Sequence, residues 1–181
     1  MIVIVIPAKG DSTRLPKKNM AIINGLPMID YAIQQALASD KADAIYVSTD
    51  SDEIARYAHV KGIEVIIRPN SLGGETPLLD VLKHALNKID NINVQTVVCL
   101  QVDHPDRNIK VDEAIECFAR ENVDKLYSTE ANGTKNGAQF LVSRHYIETG
   151  NARSEFCVID DCTNIHYPED LQRAAQNLLK R

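Results

Sequence analysis

Four cationic side chains lie within ten residues near the start of the chain, and the residues between them are mostly small or polar. The stretch 7–19 reads Pro-Ala-Lys-Gly-Asp-Ser-Thr-Arg-Leu-Pro-Lys-Lys-Asn, whereas the chain as a whole has a net charge of −5. Lys and Arg neutralise phosphate oxygens, and backbone N–H groups in a loop of small residues can bind them. The stretch therefore predicts a polyphosphate site; on charge alone, a solvated basic loop is the alternative.

The chain lacks the glycine patterns that mark the commonest nucleotide-binding folds. It has no G-x-x-x-x-G-K-[ST], which disfavours a P-loop ATPase or kinase, and no G-x-G-x-x-G, which disfavours a dehydrogenase. The negative net charge and the absence of Trp argue against a nucleic-acid-binding protein. The four cysteines form no C-x-x-C pair, so we expect ordinary thiols rather than a zinc site or a disulfide framework.

The rest of the chain alternates strand and helix patterns. Residues 2–6 are apolar and β-branched throughout, which is typical of a strand buried on both faces. Apolar residues recur at helical spacing over 28–37, Ser51 is expected to cap a second helix, and Thr76-Pro77 to begin a third. Further strands are predicted over residues 44–48, 65–67, 97–100, 138–143 and 156–159, and further helices over 112–121 and 167–178.

These repeated strand–helix units predict one α/β domain over residues 1–181, a three-layer α/β/α Rossmann-like fold with a mostly parallel central sheet. In open parallel sheets, ligands bind beyond the carboxyl ends of the strands. We therefore expect the functional side chains in the segments that follow the predicted strands, namely 7–19, 48–53, 68–76, 101–107 and 164–166.

The first loop resembles the signature of the cytidylyltransferases that activate acidic sugars: the acylneuraminate (CMP-sialic acid) synthetases and the 3-deoxy-manno-octulosonate (KDO) cytidylyltransferases. I-P-A-K-G-D-S-T-R-L-P-K-K-N at 6–19 is similar to I-P-A-R-x-G-S-K-R-I-P-x-K-N of the sialic-acid branch and contains S-T-R-L-P of the KDO branch. Similar segments follow in the family's order: N-G-L-P-M-I at 24–29, V-S-T-D-S-D-E-I-A at 47–55, R-P-N-S-L-G-G-E-T at 68–76 and L-D-V-L-K-H-A-L at 79–86.

This resemblance implies the nucleotide-diphospho-sugar transferase version of the fold, and transfer of CMP from CTP to an acidic sugar with release of pyrophosphate. It implies Lys18, Arg14 and Asp103 as catalytic residues. Lys9 stands where the family usually has Arg, so a bidentate fork becomes a point charge. The nucleotide-binding residues that the resemblance implies are Ala8, Lys9, Gly10, Ser12, Arg14, Lys18, Asn19, Arg68, Gly74 and Gln101.

The metal ligands are where the chain departs from the family. Asp103 in L-Q-V-D-H-P resembles the aspartate of the KDO branch's V-Q-G-D-E-P, which binds metal. The family's D-I-D near the C-terminus is replaced by Asn164-Ile165-His166. Three interpretations stay open: Asn164 replaces a ligand and Mg²⁺ still works; His166 shifts the preference toward Mn²⁺, Zn²⁺ or Ni²⁺; or the site is catalytically impaired and only binds nucleotide.

The acceptor and the partners are less constrained. The family's dimerisation arm, which completes the partner's sugar site, is apparently shortened around 128–139, so a monomer and a homodimer are both compatible with the sequence. Lys135, Arg107 and Arg144 are candidate carboxylate partners, although solvated surface cations are the simpler interpretation. A sialic-acid-like or KDO-like sugar is expected as acceptor, with a phosphonate as the alternative.

No targeting segment, membrane anchor or nucleic-acid partner is expected, which favours the cytoplasm. The histidines other than His166 are read as structural or surface residues, but His104, beside Asp103, could contact substrate.

Overall fold

The computed structural model describes residues 1–180, in which nine strands and six helices follow one another along the chain. The strands are β1 (Ile2–Ala8), β2 (Ile22–Ile23), β3 (Leu26–Pro27), β4 (Ala44–Thr49), β5 (Glu64–Ile67), β6 (Thr96–Cys99), β7 (Lys125–Thr129), β8 (Lys135–Ser143) and β9 (Glu155–Ile159). The helices are α1 (Met28–Leu37), α2 (Asp52–Val60), α3 (Leu78–Ile89), α4 (Val111–Glu121), α5 (Arg144–Thr149) and α6 (Pro168–Leu178), with short 3₁₀ turns at Lys18–Met20 and Asn70–Leu72.

Seven of these strands form one sheet in the order β5-β4-β1-β6-β8-β7-β9. The pairs β1–β4, β1–β6, β4–β5 and β7–β9 are parallel, and only β8 runs antiparallel to its neighbours β6 and β7. The apolar, β-branched β1 lies between β4 and β6, as expected for a strand that is covered on both faces. The predicted, mostly parallel sheet is therefore confirmed.

Alternate side chains of β1 pack into two separate cores. Ile4 and Ile6 face a cluster that includes the buried residues of α1 and α4, whereas Val3 and Val5 face a cluster built with α3 and α5. Because successive side chains of a strand point to opposite faces, this division places helices on both sides of the sheet. The three-layer α/β/α arrangement is confirmed. Within residues 1–180, none of the helices is long and apolar enough to cross a membrane.

Several local predictions need correction. Ser51 does cap α2, since its Oγ accepts the Ile54 N–H at 3.4 Å. Thr76 does not cap α3: its hydroxyl donates to the Gly73 carbonyl at 2.7 Å, which closes a turn, and the helix begins at Leu78. Sequence periodicity missed the five-residue β7, which contains only one aliphatic residue, and the six-residue α5, which makes fewer than two helical turns.

The segment 128–139 forms the end of β7, a tight turn and the start of β8. Gly133 N–H donates to the Glu130 carbonyl at 3.0 Å, and Glu130 N–H donates to the Thr134 carbonyl at 2.8 Å. The predicted strand at 138–143 therefore begins earlier than expected, since β8 already starts at Lys135.

Candidate active site

A cleft of about 290 Å³ opens at the carboxyl edge of the sheet, beyond β1, β5 and β6. Four of the five segments selected by the strand-end rule contribute to its lining, namely 7–19, 68–76, 101–107 and 164–166. The residues implied by the family resemblance that line the cleft are Lys9, Ser12, Arg14, Lys18, Asn19, Arg68, Gly74, Gln101, Asp103 and His166. The structure thus brings together most of the predicted site from segments that are far apart in the sequence.

The first loop owes its shape to contacts with its own backbone. Lys17 adopts a left-handed conformation with φ 54°, and the following turn is closed by the Lys18 N–H, which donates to the Leu15 carbonyl at 3.0 Å. Asn19 is 7% exposed, and its Nδ2 donates to the Lys9 carbonyl at 2.8 Å. These bonds fold the basic loop back on itself, so that Lys9, Arg14 and Lys18 face one cleft.

The four cations of this loop have different surroundings. Lys9 Nζ donates to the Gly74 carbonyl at 3.0 Å and lies 3.8 Å from Glu75 Oε1 across the cleft. Arg14 Nη1 lies 3.0 Å from His166 Nδ1, which must accept because a guanidinium can only donate. Lys17 instead forms a surface ion pair with Glu53 at 3.1 Å and does not line the cleft.

Asp103 is the centre of the most closely paired charges in the cleft. Lys18 Nζ donates to Asp103 Oδ2 at 3.0 Å, and His104 Nδ1 lies 3.3 Å from Oδ1. Burial would raise the pKa of Asp103, but His104 and the Lys18 ammonium outweigh it and hold this pKa well below the usual range. Lys18 also donates to the Ile165 carbonyl at 3.0 Å, which ties the segment 164–166 to the cleft.

Arg68 lies at the opposite end of the lining segments and is 5% exposed. Its Nη2 lies 3.9 Å from Asp50 Oδ1, and neither its Nε nor its Nη2 has a hydrogen-bond partner among residues 1–180. Burial lowers the pKa of this guanidinium, and the Asp50 carboxylate opposes the shift. A buried charge with unused donors is costly unless a ligand completes it, which is consistent with a role in binding.

Gln101 is oriented by a close contact with the β8 backbone. Its Nε2 donates to the Gly137 carbonyl at 3.2 Å, and a Cβ at position 137 would lie 2.5 Å from the same nitrogen. Gly137 also has φ +81°, a conformation that favours glycine. The glycine therefore allows the amide of Gln101 to sit at the cleft wall, and this link between β6 and β8 was not foreseen from the sequence.

Three of the implied site residues do not line the cleft. Ala8 is fully buried in β1. The N–H of Gly10 donates to Asp50 Oδ1 at 2.7 Å and is therefore already occupied in the structure, while a nucleotide-binding role for Gly10 stays a prediction. Asn164 does not face the cleft, and its Oδ1 is buried without a hydrogen-bond partner among the described residues.

Other residues line the cleft without having been singled out. They lie mainly in the turn before α3 and in the first turns of that helix: Glu75, Thr76, Leu78 and Val81, with Thr13 in the first loop. Thr13, Glu75 and Thr76 fall in segments that the strand-end rule had selected, so only their individual roles were missed. Val81 belongs to the apolar face of α3, where periodicity alone predicts core packing.

A metal ion would find few protein ligands here. In the part of the chain that the structure describes, no three His, Cys, Asp or Glu side chains are grouped closely enough to hold one. Mg²⁺ commonly takes only one or two carboxylates and keeps water or phosphate oxygens in its other positions, so Asp103 fits a metal carried by a nucleotide. Burial and the charges of Lys18 and Arg14 lower the pKa of His166, which favours the neutral imidazole that can ligate softer metals.

None of the three cations considered for the acceptor lines the cleft. Arg107 is not a surface cation, as the sequence suggested, but is 4% exposed and donates to the carbonyls of Ala138 at 2.6 Å and His104 at 2.7 Å. Arg144 is bound to Glu148 at 2.7 Å, and Lys135 lies 4.2 Å from the centre of the Tyr127 ring. His104 itself is 1% exposed, so it supports Asp103 rather than reaching a substrate.

The chain is similar to known proteins both in sequence and in fold. The sequence profile of the cytidylyltransferases matches residues 3–175. The chain is 37% identical to an N-acylneuraminate cytidylyltransferase of Streptococcus agalactiae serotype V over 129 residues, which are 68% of this chain. It is also 37% identical to a 3-deoxy-manno-octulosonate cytidylyltransferase of Chlorobium phaeobacteroides over 121 residues, which are 66% of this chain. The matches cover 30% and 46% of those two proteins, so the chain spans less than half the length of the curated relatives that it matches.

Solved structures share the fold at lower identity. A CMP:2-keto-3-deoxy-manno-octonic acid synthetase complexed with CTP superposes with a TM-score of 0.79 at 17% identity, covering 99% of this chain and 98% of that one. A Mycobacterium tuberculosis H37Rv protein in complex with manganese superposes with a TM-score of 0.69 at 14% identity, covering 97% and 98%. The profile match over nearly the whole length is decisive: the chain belongs to the cytidylyltransferase family.

Proposed function

We propose that the protein transfers CMP from CTP to a hydroxyl group of a small acidic sugar and releases pyrophosphate. The observation that carries the proposal is the cleft itself, which is lined by Lys9, Arg14, Lys18 and Arg68 and contains the carboxylate of Asp103 beside Lys18. The two relatives described above are named for the acceptors acylneuraminate and 3-deoxy-manno-octulosonate, and one structural neighbour was solved with CTP. A nucleoside triphosphate matches a cleft with this excess of positive charge.

The reaction needs positioning and charge neutralisation more than covalent work by the protein. The acceptor oxygen forms a bond to the α-phosphorus, the bond from that phosphorus to the bridging oxygen of the β-phosphate breaks, and the hydroxyl loses its proton. Negative charge grows on the leaving pyrophosphate as that bond breaks. Lysine and arginine side chains that the fold holds close to the phosphates stabilise this charge with little reorganisation, which is where most of the acceleration would come from.

The cleft residues divide between the two halves of the nucleotide. Lys9, Arg14 and Lys18 are cations on the first loop and would hold the triphosphate, with Ser12 as a hydroxyl donor. Arg68 and Gln101, at the ends of β5 and β6, would hold the nucleoside, and Asn19 keeps the first loop closed behind them. This division is the one that the family resemblance implies, and it is compatible with the chemistry, since a guanidinium and an amide can both hydrogen-bond to polar groups of a nucleoside.

Asp103 would hold a Mg²⁺ ion that arrives with the triphosphate, and the bound metal would neutralise charge on the phosphates. For this to happen, Asp103 must share or release Lys18, which now donates to its Oδ2. Mn²⁺ is the alternative metal, because His166 lines the cleft and a structural neighbour was solved with manganese. Asn164 can join the ligands only if the segment 164–166 rearranges, since its Oδ1 is buried.

The acceptor and the oligomeric state are the remaining parts of the proposal. We propose a single cytidylyltransferase-like domain in which the family's arm is shortened around 128–139, and this is compatible with a monomer or a homodimer; the short turn between β7 and β8 supports the shortened arm. A phosphonate is the alternative acceptor, because it too would bring an anionic group to a cationic cleft, although it would attack through a phosphonate oxygen and the sugar through a hydroxyl. The expectation of a cytoplasmic protein stands as part of this proposal.

The test is pyrophosphate release from CTP across a panel of acidic sugars and phosphonates, in Mg²⁺ and again in Mn²⁺, with UTP in place of CTP as the control. Release that requires one acceptor would support the transferase and name its substrate class. If the protein binds CTP but releases no pyrophosphate with any acceptor, the impaired nucleotide-binding module becomes the better account. Restoring the family's acidic pair with Asn164→Asp and His166→Asp should then raise Mg²⁺-dependent release.

Arg14→Ala is expected to weaken CTP binding by about 10- to 100-fold, because a charge-assisted contact to phosphate is lost. Arg14 contributes no core packing, so the melting temperature should change by less than about 3 °C. Titration calorimetry with CTP, paired with a thermal melt, measures both. Arg120→Ala is the matched control, since Arg120 pairs only with exposed groups of α4. Unchanged CTP affinity in Arg14→Ala would remove Arg14 from the site.

A further inference from the structure

Asp50 follows β4 at the carboxyl edge of the sheet, in the one strand-end segment that does not line the cleft. Its side chain is only 15% exposed. An aspartate directly after a strand often serves merely to form a turn or cap a helix. Here, however, the α2 cap is provided by the neighbouring Ser51, so the Asp50 carboxylate is left free for other contacts.

Those contacts reach three segments that build the cleft. Asp50 Oδ1 accepts the Gly10 N–H of the first loop at 2.7 Å and lies 3.9 Å from Nη2 of Arg68. On the other side, a Cβ at Gly73 would be 2.7 Å from Asp50 Oδ2, so the carboxylate packs directly against the turn that precedes α3. One buried carboxylate thus sits where the first loop, the end of β5 and this turn meet.

The same junction is closed by a second bond on the cleft side. Lys9, next to Gly10, donates its ammonium to the carbonyl of Gly74, next to Gly73, at 3.0 Å. Lys9 and Gly74 line the cleft, whereas Gly10 and Asp50 lie behind it. The first loop and the turn before α3 are therefore held together in two places: by the bond from Lys9 to Gly74 at the cleft, and by Asp50, which contacts Gly10 and Gly73 away from the cleft.

We propose that Asp50 is a positioning residue for the nucleotide, which it would never touch. It fixes the backbone of the first loop through Gly10, so that Lys9 stays within reach of phosphate. It is also the negative charge nearest to Arg68 and attracts that guanidinium. Glycine at positions 10 and 73 is part of the device, because a Cβ at either place would meet the 50–51 segment at under 3.0 Å. The inference rests on the proposed CTP-binding function.

The physical reason is preorganisation. A loop that carries several cations repels itself, and without an anchor it would spread into solvent and bind triphosphate only after being reordered. A hydrogen bond from a backbone N–H to a carboxylate is a charge-assisted bond and is stronger than a neutral one. Asp50 also balances the buried Arg68 guanidinium, which has no other acidic partner within ion-pair distance among residues 1–180.

The experiment compares CTP binding by titration calorimetry in the full chain with that in Asp50→Ala, Asp50→Asn and Asp50→Glu. Asp50→Ala should weaken CTP by about 10- to 100-fold, and Asp50→Asn, which keeps an oxygen for the Gly10 N–H but loses the charge, by less. Asp50→Glu should not restore the affinity, because its extra methylene cannot fit between Gly10 and Gly73. In turnover assays, KM for CTP should rise more than kcat falls, since Asp103 and Lys18 are untouched.

Asp52→Asn is the matched control: it removes the same charge two residues away, on the exposed first turn of α2, and should leave CTP binding unchanged. Wild-type affinity in Asp50→Ala, or full recovery in Asp50→Glu, would overturn the positioning role, the latter because it would show that only bulk charge matters. If Asp50→Ala does not fold, Gly10→Ala replaces it, because its Cβ would lie 2.8 Å from Ser51 Cβ and push the loop away with every charge retained. Unweakened CTP binding in Gly10→Ala would likewise overturn the proposal, whereas a wild-type protein that binds no CTP would remove the proposed function and this inference together.

Discussion

Asp103→Ala is expected to lower metal-dependent pyrophosphate release by about 100-fold or more while the protein stays folded. Asp103 lies beside Lys18 in the cleft, and its pKa is held below the usual range by His104 and Lys18. A carboxylate at this place suits a divalent cation bound to triphosphate. Removing it would take away both the proposed metal ligand and the carboxylate partner of Lys18.

The isosteric Asp103→Asn separates the two effects of this change. The amide oxygen can still accept from Lys18, so the fold and the loop should be retained, but the charge that a metal requires is gone. Asp161→Ala, which removes an exposed aspartate, serves as the control for net charge. Rates in Asp103→Asn close to those of the wild type, in both Mg²⁺ and Mn²⁺, would show that Asp103 does not hold the metal.

The sequence predicts the layers of this protein well because the relevant signals are local. An uninterrupted β-branched strand, apolar residues at helical spacing and a serine cap each specify their own element, and the order of the elements then implies a parallel sheet. The five-residue β7 escaped notice because its sequence, Lys-Leu-Tyr-Ser-Thr, contains only one aliphatic residue, and α5 because six residues make fewer than two helical turns. The antiparallel β8 was found as a strand, but its direction depends on the β7 hairpin that was not seen.

The site was predicted less completely, because part of it consists of contacts between distant segments. The bond from Gly10 to Asp50 joins residues 40 apart in the sequence, and that from Gln101 to Gly137 joins residues 36 apart. The sequence around each of these residues does not indicate which distant residue it will contact. Strand-end rules and family resemblance bring these loops together, but they do not foresee that the Gly10 amide is bonded to Asp50.

Arg107 shows that the local sequence also fails to predict whether a charged side chain is buried. Its sequence context is polar, and an isolated arginine is normally a surface residue. In the structure its guanidinium is buried and bonded to main-chain carbonyls of Gln101, His104 and Ala138. Carbonyl partners leave no trace in side-chain patterns, so a buried cation of this kind cannot be told from an exposed one before the fold is known.

Lys18→Ala is the second change with a large expected effect, a fall in turnover of about 100-fold or more. Lys18 Nζ is the cation nearest to Asp103 and also bonds the Ile165 carbonyl, so it stands between the metal ligand and the segment that carries His166. As charge develops on the leaving pyrophosphate, this ammonium can move from the carboxylate to the phosphate without a change in the fold. Its loss therefore removes a group that acts in the transition state, and kcat should fall more than CTP affinity.

The chain offers its own control in the adjacent residue. Lys17→Ala deletes the same charge from the same loop, but Lys17 pairs with Glu53 on the surface and lies outside the cleft, so turnover should stay within about twofold of the wild type. Steady-state rates of pyrophosphate release for the two variants, with CTP affinities from calorimetry, decide the matter. Equal losses in both would mean that the loop acts by its overall charge, and the assignment of Lys18 would fail. A large loss in Lys18→Ala alone would show that position in the cleft, rather than charge in the loop, determines the chemistry.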